Sequence, residues 1–265
     1  MKKYLVIGNP IEHSISPKLH NYWFKENFID AYYDKLKVNE SDLEYFINKI
    51  RNKEIAGANI TVPFKEKIIP FIDKLTEEAS YANSVNTIYL SGNNIIGDNT
   101  DITGFYLSLK TQNLNLTNKL AFILGSGGVT PSIIIALKRL GVKNITVSNR
   151  TKKKAEELKK KFDFIDLKDW GETVKANIII NSTSIGLKKD DQINLNFGLF
   201  GSETLFYDVI YNPIKTNFLK NAEERGCVIQ NGLMMFVYQA AAAFKRWHLL
   251  DPKIDTKLIN FLTND

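Results

Sequence analysis

The stretch Leu120-Ala121-Phe122-Ile123-Leu124-Gly125-Ser126-Gly127-Gly128 decides the fold of this chain. Its apolar half predicts a buried strand, and Pro131 beyond the glycine-rich turn opens an apolar helix that ends at Gly141. Glycines at such a turn let the backbone approach a pyrophosphate, and the first turn of the helix offers free N–H groups and a partial positive charge. The pattern favours a dinucleotide-binding unit over a turn that is merely tight. The predicted cofactor contacts here are Gly125, Ser126, Gly127, Gly128 and Val129.

The strand that follows identifies the dinucleotide. It ends in Asn149-Arg150-Thr151, where such a unit places the residue that meets the adenosine ribose. An acidic residue there would select NAD, whereas the guanidinium of Arg150 favours a ribose phosphate. A charge-assisted hydrogen bond of roughly 1.5 to 3 kcal/mol corresponds to a preference of about ten- to a hundredfold. The sequence therefore predicts NADP, contacted by Asn149, Arg150 and Thr151.

The remainder of this region repeats the strand and helix rhythm of a doubly wound, Rossmann-type sheet. A separate α/β module with a mostly parallel sheet precedes it, and a polar stretch at 111–119 is predicted to be a boundary loop. The long alanine-rich helix at 233–248 is predicted to return to the first module. Strands are predicted at 4–7, 32–38, 58–61, 87–90, 120–124, 144–148, 177–181, 205–210 and 227–230, and further helices at 17–27, 41–52, 64–71 and 102–110.

Two polar stretches in the first module carry the candidate chemistry. Lys65 closes Asn59-Ile60-Thr61-Val62-Pro63-Phe64-Lys65, and Asp101 lies within Gly97-Asp98-Asn99-Thr100-Asp101-Ile102-Thr103-Gly104-Phe105. Each puts one ionisable residue among amides and hydroxyls near a strand end, which suits proton transfer beside a hydroxyl-rich small molecule. Taken singly, Lys65 is typical of a solvated lysine at a helix start, and Asp101 is typical of an N-cap. Together they are the predicted catalytic residues.

Composition excludes several classes of function. A net charge of +6 favours anionic partners without choosing among them, while a single cysteine, Cys227, excludes a disulfide framework. With only three histidines, no metal site is expected. No apolar run approaches the ~20 residues of a membrane helix, and the run at 4–7 is too short for a signal peptide. We therefore expect a cytoplasmic protein without a membrane partner.

The lysine-rich segment at 152–161 raises the question of nucleic-acid binding. Ala155, Leu158 and Phe162 recur at helical spacing among the lysines, which indicates a solvated helix face around a buried stripe. We therefore expect no nucleic-acid partner. The sequence leaves the oligomeric state open, with a homodimer as one option.

The chain resembles the shikimate dehydrogenase family from its opening strand through Trp247. The motifs that carry the resemblance are, in order, Gly8-Asn9-Pro10 with Ser14-Ile15-Ser16-Pro17, Gly57 through Lys65, Val85-Asn86-Thr87, Asn99-Thr100-Asp101 with Gly104-Phe105, Gly125 through Gly128, Asn149-Arg150-Thr151, Asn181 through Gly186, Tyr211-Asn212-Pro213 with Thr216, and Gly232 through Ala241. So many motifs at consistent intervals make a chance resemblance untenable.

The resemblance implies reduction of 3-dehydroshikimate with NADPH in aromatic amino-acid biosynthesis. It implies a substrate-binding and catalytic domain at 1–103 plus 238–265, and an NADP-binding domain at 104–237. By the same resemblance Ser14 and Ser16 hold the substrate carboxylate, and Lys65 lies at the reacting oxygen. The ring hydroxyls fall to Asn59, Thr61, Asn86, Asp101 and Gln239, Tyr211 completes the pocket from the cofactor side, Ile210 and Gly232 lie beside the nicotinamide, and Glu77 reaches the cofactor.

Two alternatives stay open at this level. One is a quinate or dual quinate/shikimate dehydrogenase on the same scaffold, since Ser14 and Thr61 are compatible with either acid. The other is a non-catalytic, dinucleotide-binding regulatory protein, which would keep the glycine-rich turn and Arg150. Such a regulator would have no need for Lys65 together with Asp101.

Overall fold

The computed structural model describes residues 1–112 and 114–264. The chain forms two compact units, Met1–Gly104 with Val237–Asp265, and Phe105–Phe236. The strands are β1 Lys2–Gly8, β2 Ala31–Lys37, β3 Gly57–Ile60, β4 Lys74–Leu75, β5 Thr87–Ser91, β6 Asn94–Asp98, β7 Leu120–Leu124, β8 Asn144–Ser148, β9 Ile165–Lys168, β10 Ile178–Asn181, β11 Leu205–Asp208 and β12 Val228–Gln230. The α-helices are α1 Ser16–Glu26, α2 Leu43–Arg51, α3 Glu77–Ala82, α4 Asp101–Lys110, α5 Thr130–Arg139, α6 Lys152–Lys161, α7 Asn217–Glu223, α8 Leu233–His248 and α9 Thr256–Thr263.

The first unit is built on a mixed sheet in the order β2-β1-β3-β5-β6-β4. β1 pairs in parallel with β2 and β3, and β4 with β6, while β5 runs antiparallel to both β3 and β6. An aromatic cluster closes one side, where Phe244 of α8 packs on Trp23 and Phe24 of α1 with ring centroids 5.5 and 5.7 Å apart. Because β1 and β3 are parallel neighbours, the segments that follow them emerge at the same sheet edge.

The second unit contains the predicted doubly wound sheet. Its order is β12-β11-β10-β7-β8-β9, and each neighbouring pair is parallel. β7 and β10 carry buried, mostly aliphatic runs, as expected of strands covered on both faces. The loops after these strands therefore gather at the carboxyl edge of the sheet, which is where such folds bind ligands.

The helix predicted at 64–71 is wrong. That stretch is a series of turns ending in a short 3₁₀ turn at Ile69–Phe71. The carbonyl of Lys65 accepts a hydrogen bond from the backbone N–H of Val85 at 2.8 Å, and the Ile69 N–H, which a helix would direct to that carbonyl, bonds the Glu66 carbonyl at 3.2 Å instead. Pro70 also lacks the N–H that a continuing helix needs. The apolar spacing of Phe64 and Ile68 is typical of a helix, but tertiary contacts prevent a helix from forming here.

Other differences are omissions. Six elements, β4, β6, β9, α3, α7 and α9, were not predicted from the sequence. The first sheet is more antiparallel than expected because β5 runs antiparallel to both β3 and β6. β11 ends at Asp208, short of the predicted 210, because the Asp208 carboxylate accepts the Ile210 N–H at 3.0 Å. The predicted boundary loop includes Asn113, which lies outside the described residues, and its other residues belong to no helix or strand.

Two classes of feature are not found in the described ranges 1–112 and 114–264. No helix there combines the length and apolarity needed to cross a membrane. Nor do histidine, cysteine and carboxylate side chains in those ranges gather in groups of three or more that could hold a metal ion.

Candidate active site

A buried ion pair joins two distant parts of the first unit. Lys65 lies in the turns after β3, and Asp101 is the first residue of α4. The Lys65 Nζ lies 2.6 Å from Asp101 Oδ2, and the two side chains are only 12% and 7% exposed. A charge-assisted bond that is largely removed from water is short, strong and well oriented. The pair can therefore present one ammonium to a small ligand in a fixed direction.

The other carboxylate oxygen of Asp101 is held by Asn86. The Asn86 Nδ2 donates to Asp101 Oδ1 at 2.9 Å and to Thr100 Oγ1 at 2.9 Å, and lies 3.4 Å from Gln239 Oε1. Its Oδ1 accepts the backbone N–H of Thr100 at 2.7 Å. Because a backbone N–H can only donate, this bond fixes which way the Asn86 amide faces. Both Asn86 and Asp101 are thus constrained before any ligand arrives.

Asn59 extends the same network away from the ion pair. Its Nδ2 donates to the Asn86 carbonyl and to Thr87 Oγ1, both at 3.1 Å. Its Oδ1 accepts from the hydroxyl of Tyr33 at 2.6 Å. Both amide hydrogens are therefore used inside the protein, and Asn59 has no donor left for a ligand.

The predicted carboxylate-binding serines form a small hydroxyl pair. The Ser14 hydroxyl donates to Ser16 Oγ at 3.2 Å in the segment that follows β1. Thr61 follows β3, the parallel neighbour of β1, and its methyl group packs so closely on Gly8 that an added Cβ there would lie at 2.5 Å. Ser14, Ser16 and Thr61 therefore share one edge of the first sheet.

The glycine-rich turn of the second unit has the shape that a pyrophosphate needs. Gly125 has φ +113°, and a Cβ there would lie 2.7 Å from Ser182 Oγ. At Gly127 a Cβ would meet nothing closer than 4.0 Å, so the turn leaves open space on that side. The buried Ser126 Oγ has no hydrogen-bond partner. A buried hydroxyl without a partner beside a helix N-terminus fits a bound phosphate oxygen.

The segment after β8 is tied to this turn. The Ser126 backbone N–H donates to Asn149 Oδ1 at 3.1 Å, and Asn149 Nδ2 donates to the Thr151 carbonyl at 2.9 Å. Arg150 is exposed, and Thr151 occupies the N-cap position of α6. These residues fit an adenosine ribose phosphate, with Arg150 as an exposed cation and Asn149 linking the segment to the turn.

A buried carboxylate organises the loop after β11. Asp208 accepts hydrogen bonds from Thr216 Oγ1 at 2.6 Å and from Asn181 Nδ2 at 3.0 Å, as well as from Ile210 N–H. Burial nevertheless raises the pKa of Asp208 to about 6. Gly232 approaches this loop so closely that an added Cβ would lie 2.1 Å from the Val209 carbonyl oxygen.

Family models cover most of the chain. Residues 6–88 match the shikimate dehydrogenase substrate binding domain, and residues 108–189 match shikimate / quinate 5-dehydrogenase. A protein named shikimate dehydrogenase (NADP(+)) from Pelagibacter ubique is 56% identical over 261 residues, which is 98% of either chain. The chain belongs to the shikimate dehydrogenase family.

Solved structures of shikimate dehydrogenases agree in fold. The enzyme from Aquifex aeolicus superposes with a TM-score of 0.92 at 32% identity, covering 100% of this chain and 98% of that one. The Thermus thermophilus enzyme, solved with NADP(H) and shikimate, gives a TM-score of 0.89 at 29% identity and covers 99% and 97% of the two chains. These matches confirm the predicted family and the two-domain α/β fold.

The structure groups the predicted shikimate dehydrogenase residues in two sets. In the first unit, Lys65, Asp101, Asn86, Asn59 and Gln239 belong to one contact network, and Ser14, Ser16 and Thr61 lie along one sheet edge. In the second unit, Gly125 through Val129 and Asn149 through Thr151 lie after neighbouring strands, and Ile210 and Gly232 share a backbone hydrogen bond of 3.1 Å.

Two predicted residues stand apart from their sets. Glu77, predicted to contact the cofactor, is an exposed residue in the first turn of α3 and so lies in the first unit. Tyr211, predicted to complete the substrate pocket, lies in the second unit, where its ring packs 4.8 Å from that of Phe236.

Sequence reasoning missed three members of the first network. Thr87 and Thr100 stand inside quoted motifs, beside Asn86 and Asp101, and their buried hydroxyls lie 3.1 Å apart. Their proximity to amides and a carboxylate could have indicated a polar role. Tyr33 had no such signal, because it lies within an ordinary strand pattern 26 residues from its partner.

Proposed function

We propose that this protein catalyses the NADPH-dependent, reversible reduction of 3-dehydroshikimate to shikimate in aromatic amino-acid biosynthesis. The observation that carries the proposal is the Lys65–Asp101 pair at 2.6 Å, which is buried and already held by Asn86. The names of its relatives favour shikimate over quinate and NADP over NAD. A non-catalytic regulator would have no use for such a pair.

NADPH supplies a hydride to the ring carbonyl carbon when it is bound. As the C=O bond becomes C–O, negative charge develops on the oxygen, and the Lys65 ammonium is suited to stabilise it. Lys65 then donates one proton to that oxygen, which becomes the hydroxyl of shikimate, and is left as a neutral amine. In the oxidation direction, the amine accepts the hydroxyl proton. Asp101 orients the ammonium and has a lone pair for the neighbouring hydroxyl.

Substrate recognition divides by chemistry. The Ser14 and Ser16 hydroxyls are suited to the carboxylate, and Thr61, Asn86 and Gln239 to the ring hydroxyls. A site built to hydrogen-bond hydroxyls rejects analogues that lack them, since its buried polar groups would lose their partners. Asn59, with both amide hydrogens already donated, contributes through Asn86. Tyr211 is proposed as a further substrate contact.

Most of the proposed cofactor contacts lie in the second unit. Gly125, Ser126, Gly127, Gly128 and Val129 would hold the pyrophosphate, and Asn149, Arg150 and Thr151 the ribose phosphate. Ile210 and Gly232 would lie beside the nicotinamide, and Glu77 is proposed as a further cofactor contact. We assign 1–103 plus 238–265 to substrate binding and catalysis, and 104–237 to NADP. Cytoplasmic location and the homodimer option stay predictions.

An absorbance assay tests the proposal. Purified protein is mixed with shikimate or quinate and with NADP⁺ or NAD⁺, and nicotinamide reduction is followed in all four mixtures. We expect the fastest turnover with shikimate and NADP⁺. Faster turnover on quinate would establish the alternative dehydrogenase. Ligand binding without reduction in any mixture would contradict an enzymatic role and favour the regulator.

A further inference from the structure

We propose that Tyr33 is a positioning residue for the reaction, which through Asn59 and Asn86 holds the Asp101 carboxylate in place against Lys65. The inference rests on the proposed function of the Lys65–Asp101 pair. Tyr33 touches neither member of that pair, and its hydroxyl bonds to Asn59 Oδ1 at 2.6 Å. Tyr33 therefore acts on the site only through intervening amides.

The direction of each hydrogen bond in this chain of contacts is fixed. The Asn86 carbonyl can only accept, so the Asn59 Nδ2 must face it, and the Asn59 Oδ1 must face Tyr33. The Tyr33 hydroxyl is therefore the donor. At the other end, the Thr100 N–H can only donate, so the Asn86 Nδ2 faces Asp101. Rotating either side-chain amide by 180° would place two donors or two acceptors opposite each other.

Tyr33 itself is locked from two sides. The side-chain amide of Asn21 in α1 bonds both backbone groups of Tyr33, accepting from its N–H and donating to its carbonyl, each at 2.8 Å. The Tyr33 ring stacks on the His20 ring at 4.3 Å, with 7° between the planes. Tyr33 is 2% exposed, so water does not readily replace its hydroxyl. Burial also raises its pKa well above the usual value, which keeps the hydroxyl a donor throughout an assay range.

Removal of the Tyr33 hydroxyl would take away the hydrogen bond that holds the Asn59 side chain in place. The Asn59 Oδ1 would be left buried without a donor, and the amide would gain by rotating away from Asn86 and Thr87. A small displacement of a reacting group lowers the rate strongly, because proton transfer needs short, aligned contacts. We therefore expect turnover to suffer more than substrate affinity.

The test compares Tyr33→Phe with Tyr207→Phe. Tyr207 is a matched control in the second unit, fully buried, with its hydroxyl 2.9 Å from Ser108 Oγ. Each variant loses one buried hydroxyl bond. We expect Tyr33→Phe to lower kcat for shikimate oxidation about five- to fiftyfold, to change KM less than about threefold, and to alter the pH dependence of kcat. Tyr207→Phe should lose similar thermal stability while keeping wild-type kcat and pH dependence.

Each outcome bears on the proposal. Wild-type kcat and pH dependence in Tyr33→Phe would overturn it, as would an equal loss of kcat in both variants, which would mark a general packing effect. If Tyr33→Phe does not fold, Thr87→Val removes the next hydroxyl in the network, and normal kcat there would overturn it. Lack of turnover in the wild-type protein would refute the proposed function instead. A crystal structure of Tyr33→Phe then tests positioning alone, and unchanged Asn59 and Asn86 amides would overturn it.

Discussion

The two candidate sites of this molecule are built in opposite ways. In the first unit, Lys65, Asp101, Asn86 and Asn59 satisfy one another with short hydrogen bonds. In the second, the glycine-rich turn leaves the buried Ser126 Oγ without a partner and open space beside Gly127. The first site is preorganised by side chains, as proton transfer requires. The second is a backbone cradle whose missing contacts a ligand would supply.

The largest expected effect concerns the preorganised site. Lys65→Ala removes the ammonium that we propose stabilises and protonates the developing oxyanion, and should lower kcat by about 10² to 10⁴. The control is Lys67→Ala, two residues along, which removes an exposed lysine paired with Glu40. Steady-state kinetics with shikimate and NADP⁺ check both variants. Near-normal kcat in Lys65→Ala would remove Lys65 from the mechanism.

Lowering the pH should destabilise the first unit and stabilise the second. Burial and nearby His248 lower the pKa of His20 to about 3, so stability from neutral His20 is present above pH 6.5 and is lost as pH falls below it. Burial raises the pKa of Asp208 to about 6, so its protonation restores stability as pH falls from 6 toward 4. Between pH 6 and 4, His20 should destabilise the first unit by about 2 kcal/mol, and Asp208 should stabilise the second by a similar amount.

Hydrogen exchange across that pH range checks the sign for each unit. Amides of the first unit should lose protection, and those of the second should hold or gain it. Replacing His20 by Phe should reduce the first change, and Asp208→Asn the second, while a change at the exposed His13 should affect neither. Equal loss of protection in both units of the wild-type protein would contradict the assignment.

Cofactor choice should depend on Arg150. Arg150→Asp should lower the preference for NADP⁺ over NAD⁺, measured as a ratio of kcat/KM values, about ten- to a hundredfold. Lys160→Asp makes the same change of charge at an exposed position of α6 and should leave the ratio unaltered. The claim fails if the two variants change the ratio equally, since the effect would then be one of general charge.

The smallest expected effect is on cofactor binding, and comparing two glycine substitutions in the turn distinguishes it from an effect on protein stability. The Cβ added by Gly127→Ala would meet no protein atom closer than the Ser182 carbonyl oxygen at 4.0 Å, so thermal stability should be unchanged, but NADP⁺ binding should weaken about five- to tenfold by crowding of the ligand. Gly125→Ala, at φ +113°, should instead cost on the order of 1 to 3 kcal/mol of stability. Unaltered NADP⁺ affinity in Gly127→Ala would show that no ligand packs against that face.

The same contrast explains what the sequence could predict. The glycine-rich turn is local, since strand, glycines and helix are consecutive, and the structure contains β7 and α5 on either side of it. The long helix α8 is also local, with an uninterrupted apolar pattern, and it lies at Leu233–His248 as predicted. Periodicity and turn chemistry suffice where an element is determined by its own residues.

Prediction failed where distant residues decide. The Lys65 carbonyl accepts the Val85 N–H rather than the Ile69 N–H, so the helix predicted at 64–71 does not form and the backbone that carries the ammonium is held by a distant segment. Tyr33 was missed because only the fold brings its hydroxyl to Asn59. The β5–β6 hairpin was the avoidable omission, since Gly92-Asn93 between two strands is a recognisable turn and Gly92 has φ +59°. The first sheet is mixed because β5 runs antiparallel to both β3 and β6.

The most direct test of the central claim is a crystal structure of the protein with shikimate. The account predicts one ring hydroxyl within about 2.6 to 3.2 Å of Lys65 Nζ. Asp101 Oδ2 should still lie near its present distance of 2.6 Å from that nitrogen, and Asn86 should still bond Asp101 Oδ1. Shikimate bound elsewhere, or a Lys65 ammonium separated from Asp101 and pointing away from the ligand, would contradict the account.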